Sequence, residues 1–323
     1  MEIFRSDKRH IDVNDYVKKH GKDAAAKHFN ISRESVRRYC RHAETTDGKP
    51  IDENKSKLID RISKRFSEKE LKALLDDSFR PKPGEATYNF DGDTVKIGII
   101  SDTHIGSSFT NENRLRAALD ECVRQEANLV LMSGDITEGM SGRDGHVYEL
   151  THIGYQAQRQ AAINIFSDYH ELYIKMISGN HDLWYAQKAN MGALIVADIC
   201  DALPCNCEYL GEHEAKIYVN GAKVMLWHGE DGSSYALSYR SQKIIEALQG
   251  GQKPQLLILG HDHKQINYMT RNVHVIGSGC IQDQTPWMRR KRMEAHCGFW
   301  IIEPTIKEKE IKRLKTEWFP FYE

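Results

Sequence analysis

Tyr173-Ile174-Lys175-Met176-Ile177-Ser178 is a mostly apolar, strand-like run that opens abruptly into Gly179-Asn180-His181-Asp182. An amide, an imidazole and a carboxylate thus stand at the mouth of a buried strand. Alone such a tetrad is weak, because Gly-Asn pairs make turns and a loop histidine is usually just solvated. Four other places repeat the arrangement. Residues 95–100 run into Ser101-Asp102-Thr103-His104, residues 128–132 into Ser133-Gly134-Asp135, residues 222–227 into His228-Gly229, and residues 255–259 into Gly260-His261-Asp262-His263.

Five short apolar runs, each ending in metal-binding residue types, predict a layered α/β fold, in which ligands collect where strands end and loops carry polar side chains. Helical spacing falls between the runs, over residues 113–126, 155–169 and 235–248. Residues 217–219 and 222–227 around Asn220-Gly221 read as a hairpin, with two short strands around Arg271-Asn272 and a last one at 298–302. In extended chain, residues two apart point the same way, so Asp102 with His104, and His261 with His263, can each face a single centre. Asp102, His104, Asp135, Asn180, His228, His261 and His263 are more donors than one tetrahedral ion uses and suit two, with a carboxylate such as Asp135 able to bridge. Imidazole, carboxylate and amide oxygen without thiolate suit manganese, iron, zinc, nickel or magnesium and do not choose among them; two divalent ions, with manganese favoured, are the expectation.

The whole chain sets bounds. At 323 residues it has room for a sizeable core plus an accessory module, since domains run to about 100–200 residues. With 40% hydrophobic and 28% charged residues and no apolar run near the roughly 18 residues of a span, no membrane association is expected. The N-terminus turns polar at once and lacks a secretion signal, so a cytoplasmic location is expected. Seven scattered cysteines in a chain this long read as reduced thiols; Cys205 and Cys207 form a C-x-C with nothing nearby to complete a zinc site. The net charge of −1 hides an excess of +5 in residues 1–43 and −6 in the remainder.

That basic end has its own pattern. Residues 15–20 read as the end of one helix and residues 22–29 as a second, with Ala25, Ala26 and Phe29 on one face. Asn30-Ile31-Ser32 makes a turn and a cap, and residues 33–41 form a third helix that leaves Arg33, Ser35, Arg37, Arg38 and Arg41 facing out. This resembles a helix-turn-helix of the repressor and resolvase kind: the alanines permit close packing, and exposed arginines can meet phosphates and guanine edges. Residues 1–43 are accordingly read as a helix-turn-helix-like domain binding DNA, residues 44–84 as a helical linker closed by Pro81-Lys82-Pro83-Gly84, and residues 85–323 as the domain carrying the metal ligands. A small bundle used for assembly or protein contact is the alternative.

In order, Asp102-x-His104, Gly134-Asp135, Gly179-Asn180-His181-Asp182, His228 and Gly260-His261-x-His263 resemble the complete signature of the calcineurin-like metallophosphoesterases. The resemblance implies a four-layered α/β/β/α sandwich with a dinuclear site along one edge of the sheets. It implies that Asp102, His104 and His263 hold one metal, Asn180, His228 and His261 the other, and that Asp135 bridges them. His181 would protonate the leaving group and Asp182 would orient it. Two ions at roughly 3.5–4 Å can activate a water and clamp a phosphate for in-line displacement.

The substrate is less legible. The pairing of a basic module with this centre favours a nucleic-acid phosphodiesterase, similar to the double-strand-break repair nucleases, with DNA as the favoured partner. Gly134-Asp135 is, however, followed by Ile136-Thr137-Glu138 instead of the aromatic and histidine residues common in those nucleases. The glycine-rich loop at 139–154, with His146 and His152, is expected to shape the pocket, and Trp287-x-Arg289-Arg290-Lys291-Arg292 could meet a backbone or a base. Two other readings stand: a phosphatase or phosphodiesterase for proteins, nucleotides or small molecules, and a DNA-binding regulator with a vestigial metal site. Oligomeric state is not legible in the sequence.

Overall fold

The computed structural model describes residues 13, 16–29, 36, 84–188, 192–203, 206–230 and 236–322. The chain divides into two units, Met1–Phe79 and Arg80–Glu323. In the first, residues 16–20 are helical and helix α1 spans Lys22–His28, after Gly21 at φ 82°. Ala25 is buried with Val13 and Val36, and Tyr16, Val17, Ala26 and Phe29 pack around them. The small side chain of Ala25 allows that close approach. Arg33, Ser35, Arg37, Arg38 and Arg41 lie outside the described residues, as do the 30–32 turn and most of the expected 44–84 linker.

The second unit begins with a strand that the sequence pattern does not announce, β1 (Gly84–Tyr88). Gly84, expected to close the linker, pairs instead with Ala215 as the first residue of that strand. There follow β2 (Ile97–Ile100), α2 (Glu112–Arg124), β3 (Leu129–Met132), α3 (Tyr155–Phe166), β4 (Ile174–Ser178), α4 (Asn180–Gln187) and α5 (Ile195–Ala202). Then come β5 (Cys207–Glu212), β6 (Glu214–Val219), β7 (Ala222–Trp227), α6 (Tyr239–Ala247), β8 (Leu256–Leu259), β9 (Gln265–Thr270) and β10 (Val273–Ser278). Helix α7 (Pro286–Arg290) and the long pair β11 (Gly298–Lys307) and β12 (Glu310–Pro320) complete it. The strands form two six-stranded sheets, ordered β1-β6-β7-β8-β10-β9 and β12-β11-β2-β3-β4-β5.

Period-two alternation in buried strands sets the layers. Ile97, Ile99, Leu129 and Leu131 face across to Val224, Leu226, Leu256 and Ile258 in the core between the sheets. The intervening Ile100, Val130 and Met132 face α2, α3 and α5 through Leu115, Leu119, Phe166 and Ile199. On the far side, Met225, Leu257 and Leu259 face α6 through Ile244 and Ile245. Helix, sheet, sheet, helix is the four-layered sandwich expected. Two hairpin turns follow from their residues: Asn220-Gly221 and Arg271-Asn272 all take positive φ, as a type I′ turn demands.

The sequence pattern does not announce strand β12 either. Its buried-side residues Ile311 and Leu314 are three apart, not two, because a bulge against Thr305/Ile306 inserts an extra residue. Parallel pairing then aligns the strand ends that matter. Ile100 lies beside Met132, Met132 beside Met176, and Trp227 beside Leu259, so the C-terminal ends of β2, β3 and β4 and those of β7 and β8 open along one edge.

Ile258 is fully buried between the sheets, and Ile258→Ala is expected to destabilise the unit by about 2–5 kcal/mol through lost transfer energy and a residual cavity. Urea unfolding checks this; a midpoint within error of wild type would mean that the inter-sheet core is not closely packed there.

Candidate metal centre

The polar groups leaving those ends converge. His104 Nε2 lies 3.1 Å from His263 Nε2, and His263 Nε2 lies 3.3 Å from Asp102 Oδ1. Asn180 Oδ1 lies 2.8 Å from His261 Nδ1 and 3.2 Å from His228 Nε2. Asp135 Oδ2 stands between the two groups, 3.1 Å from His228 Nε2 and 3.7 Å from His104 Nε2. Among the described residues, Asp102, His104 and His263 form one set able to hold a metal ion, and Asp135, His228 and His261 form another. A third set, His104, Asp135 and His181, overlaps both. All seven sequence-predicted donors are therefore brought together.

The local geometry is not that of extended chain. Asp102, His104, Asp135, His261 and His263 all take positive φ, between 45° and 76°, a left-handed conformation that side chains adopt at a cost. This corrects the spacing argument from strand alternation. Left-handed turns past the strand ends aim these groups, and they send His261 and His263 to different sets rather than to a common centre. Two glycines show how tight the packing is. A Cβ on Gly179 would sit 2.6 Å from His228 Nε2 and closer still to Asp135 Oδ1, and one on Gly134, at φ 101°, would collide with the His228 ring. Only glycine permits these approaches.

The donors are held from behind. His228 Nδ1 donates to Ser133 O at 2.7 Å, which leaves Nε2 facing the cluster. His104 Nδ1 lies 2.9 Å from Glu138 Oε2. Burial works against a charge on His104, but Glu138 outweighs it and raises the imidazole to about 9; Asp135 likewise overrides burial and raises His228 to about 9. His261 is pushed down to about 3 by burial and by the neighbouring His228. Burial opposes ionisation of Asp135, yet His228 and His181 hold its carboxyl well below the usual range. Buried imidazoles and carboxylates aimed at one another within 3.1–3.7 Å, with no thiolate among them, fit divalent cations.

His181 and Asp182 do not touch as expected. The Asp182 carboxylate accepts from Gly179 N at 2.9 Å, Ile136 N at 3.1 Å, and Thr137 N and Oγ1 at 2.8 Å each. Three residues into α4, it caps the helix and clamps the Asp135 loop rather than orienting an imidazole. Burial, and then the charge of Asp135, push it up to about 6. The His181 ring is placed by Glu138, whose backbone O lies 2.8 Å from Nδ1, and by Trp184, stacked at 3.9 Å between centroids. Burial lowers the His181 pKa.

Glu138 is the functional residue that sequence reasoning passed over. Only 5% exposed, it also meets His146 Nε2 at 2.9 Å through Oε1 and accepts from Gln282 Nε2 at 2.9 Å through Oε2. The signal was present, as a carboxylate three residues after Asp135 where a repair nuclease has other residues, but its partners come from segments far apart in the chain. The cluster floors a cavity of about 830 Å³, walled on one side by Ser141, Arg143 and His146 and on the other by Trp287, Met288, Lys291 and Met293. His146 thus reaches the pocket, as the glycine-rich loop predicted; His152 does not line it. No helix among the described residues is long and apolar enough to cross a membrane.

A DNA polymerase II small subunit from Methanothermobacter thermautotrophicus (strain Delta H) is 24% identical over 246 residues, covering 62% of this chain and 50% of the relative. One from Halobacterium salinarum is 22% identical over 228 residues, covering 59% of this chain and 44% of the relative. The chain spans about half the length of these curated relatives. Among solved structures, an archaeal phosphodiesterase is 17% identical with TM-score 0.40, covering 70% of this chain and 100% of its own. A phosphoesterase from E. coli is 14% identical with TM-score 0.39, covering 68% and 98%. The calcineurin-like phosphoesterase superfamily domain matches residues 95–295, through all five strand ends that carry the cluster, and the chain belongs to that superfamily.

Proposed function

We propose that the chain is a phosphodiesterase that cleaves nucleic acid with the help of two divalent cations, manganese foremost. The observation that carries this reading is Asp135 Oδ2 standing between two sets of buried donors at the floor of the cavity. Asp102, His104 and His263 would hold one cation, Asn180, His228 and His261 the other, with Asp135 shared. When bound, the cations would supply charge for the phosphate oxygens and an activated water. The intact donor set speaks against a regulator with a vestigial site.

The chain's own residues do the rest. With His181 Nδ1 against the Glu138 carbonyl, the ring turns its other nitrogen free to carry a proton to the leaving oxygen. Stacking on Trp184 keeps the ring from swinging away. Burial depresses its pKa, and a phosphate anion beside it works in the opposite direction. Nucleic acid as substrate is supported by the named role of the relatives as DNA polymerase subunits and by the excess of +5 in residues 1–43. In this reading Arg33, Ser35, Arg37, Arg38 and Arg41 contact DNA.

Four outcomes are expected. His181→Ala keeps its metal content but loses about 10²–10⁴-fold in kcat on a diester with an unactivated leaving group, whereas Asp135→Ala loses metal. Near wild-type turnover by His181→Ala would remove it as the acid. Because His104 and His228 hold protons up to about pH 9, loading at pH 7 should release protons and affinity should rise with pH toward 9. Calorimetry in two buffers of different ionisation enthalpy measures this, and an equal heat in both would contradict it. Finally, DNA and RNA strands should be cut in the presence of manganese alongside a chromogenic diester. Cleavage of a chromogenic monoester alone would favour the phosphatase reading, and replacing Arg33, Arg37, Arg38 and Arg41 with alanine should weaken DNA binding at matched salt.

A further inference from the structure

The cavity is far larger than a phosphate group, and its two walls differ. On one side Arg143 is tied to Glu149 by an ion pair, and Lys188 lies 4.3 Å from the Trp184 ring centroid. On the other stands α7 with the residues after it. Thr285 caps that short helix, accepting from Met288 N at 3.2 Å, and Met288, 5% exposed, pins it to the body of the unit. Trp287 is left 40% exposed on the cavity wall, next to Lys291 and Met293.

Arg289, Arg290, Lys291 and Arg292 are all exposed, and among the described residues none has a carboxylate in ion-pair range. The nearby acids are committed elsewhere: Asp283 pairs with Arg114, and Glu294 with Lys264 and His296. A partly exposed indole, two methionines and Lys291 therefore line a cavity whose floor is the metal centre, and Arg289, Arg290 and Arg292 lie exposed beside them in the chain.

We propose that this wall is the subsite for a single-stranded polynucleotide, with one base stacked on Trp287 and a flanking phosphate on Lys291. The proposal rests on the reading of the centre as a nucleic-acid phosphodiesterase. Stacking on an aromatic face beside a basic track is how single strands are held without sequence preference. Base stacking selects the strand. A duplex keeps its bases paired and stacked inside, whereas a single strand can turn a base out onto the 40%-exposed indole of Trp287. A phosphorylated peptide would meet the cations but would leave the indole face and the methionines without a partner.

The test is equilibrium binding of the full chain to a fluorescent, hydrolysis-resistant phosphorothioate hexanucleotide, as DNA and as RNA, against a duplex of the same sequence. Single strands are expected to bind more tightly than the duplex. Trp287→Ala should weaken them about 5- to 100-fold and Trp287→Phe should restore most of the loss, a rescue that mere structural damage would not give. The Lys291→Gln variant should flatten the slope of log affinity against log salt by about 0.7. Unchanged affinity in both variants, preference for duplex, no binding by the wild type, or equal displacement by polyglutamate overturns the subsite. Hydrolysis of a chromogenic diester is followed in parallel. Turnover without single-strand binding at Trp287 leaves the enzymatic reading and removes the subsite; binding at Trp287 without turnover of any ester does the reverse.

Discussion

A carboxylate that is only 2% exposed, Asp135, is the constraint on which the second unit depends. Burying an unpaired anion is too costly for a folded chain to tolerate, so the surroundings must supply positive charge and donors. Here the His228 and His104 imidazoles stand on one carboxylate oxygen and the His181 amide donates to the other at 2.9 Å. Each of these partners leaves a different strand. The need to satisfy one anion thus ties β2, β3, β4 and β7 together at a single edge, and places a second carboxylate, Asp182, underneath as a clamp on the same loop.

The sandwich makes that arrangement rigid enough to last. Left-handed backbone at five donors is strained, and such strain persists only where the surroundings over-determine it. The strands behind the donors are short but buried on both faces, between the inter-sheet core and the outer helices, so the ends have little freedom to relax. Glu138 extends the same logic by joining His104, His146 and Gln282 in one buried network. Chemistry is carried on strand ends, while the cavity walls come from the 141–149 loop and the 285–293 segment, where composition can change without disturbing the sheets.

Several parts of this organisation were legible in the residues. The strands that feed the cluster are continuous apolar runs, and a run of that kind bounded by Gly, Asp or His announces both the strand and its end. All seven donors could be named because each stands next to such a boundary. The elements that went unseen, β1, β5 and β12, lie at sheet edges, where one face is wet and alternation is diluted by charge. In β12 the bulge also breaks the period of two.

What the sequence determined by itself was therefore the layered α/β class, the strand ends and the chemical identity of the donors, since these depend on local pattern and residue type. What only the tertiary structure decided was that Asp182 clamps backbone while Glu138 serves the histidines, and that Trp287 and Lys291 line the same cavity as the donors. Those relations join residues from 8 to more than 100 positions apart through left-handed turns and glycine contacts, and no local periodicity encodes a distance across the fold.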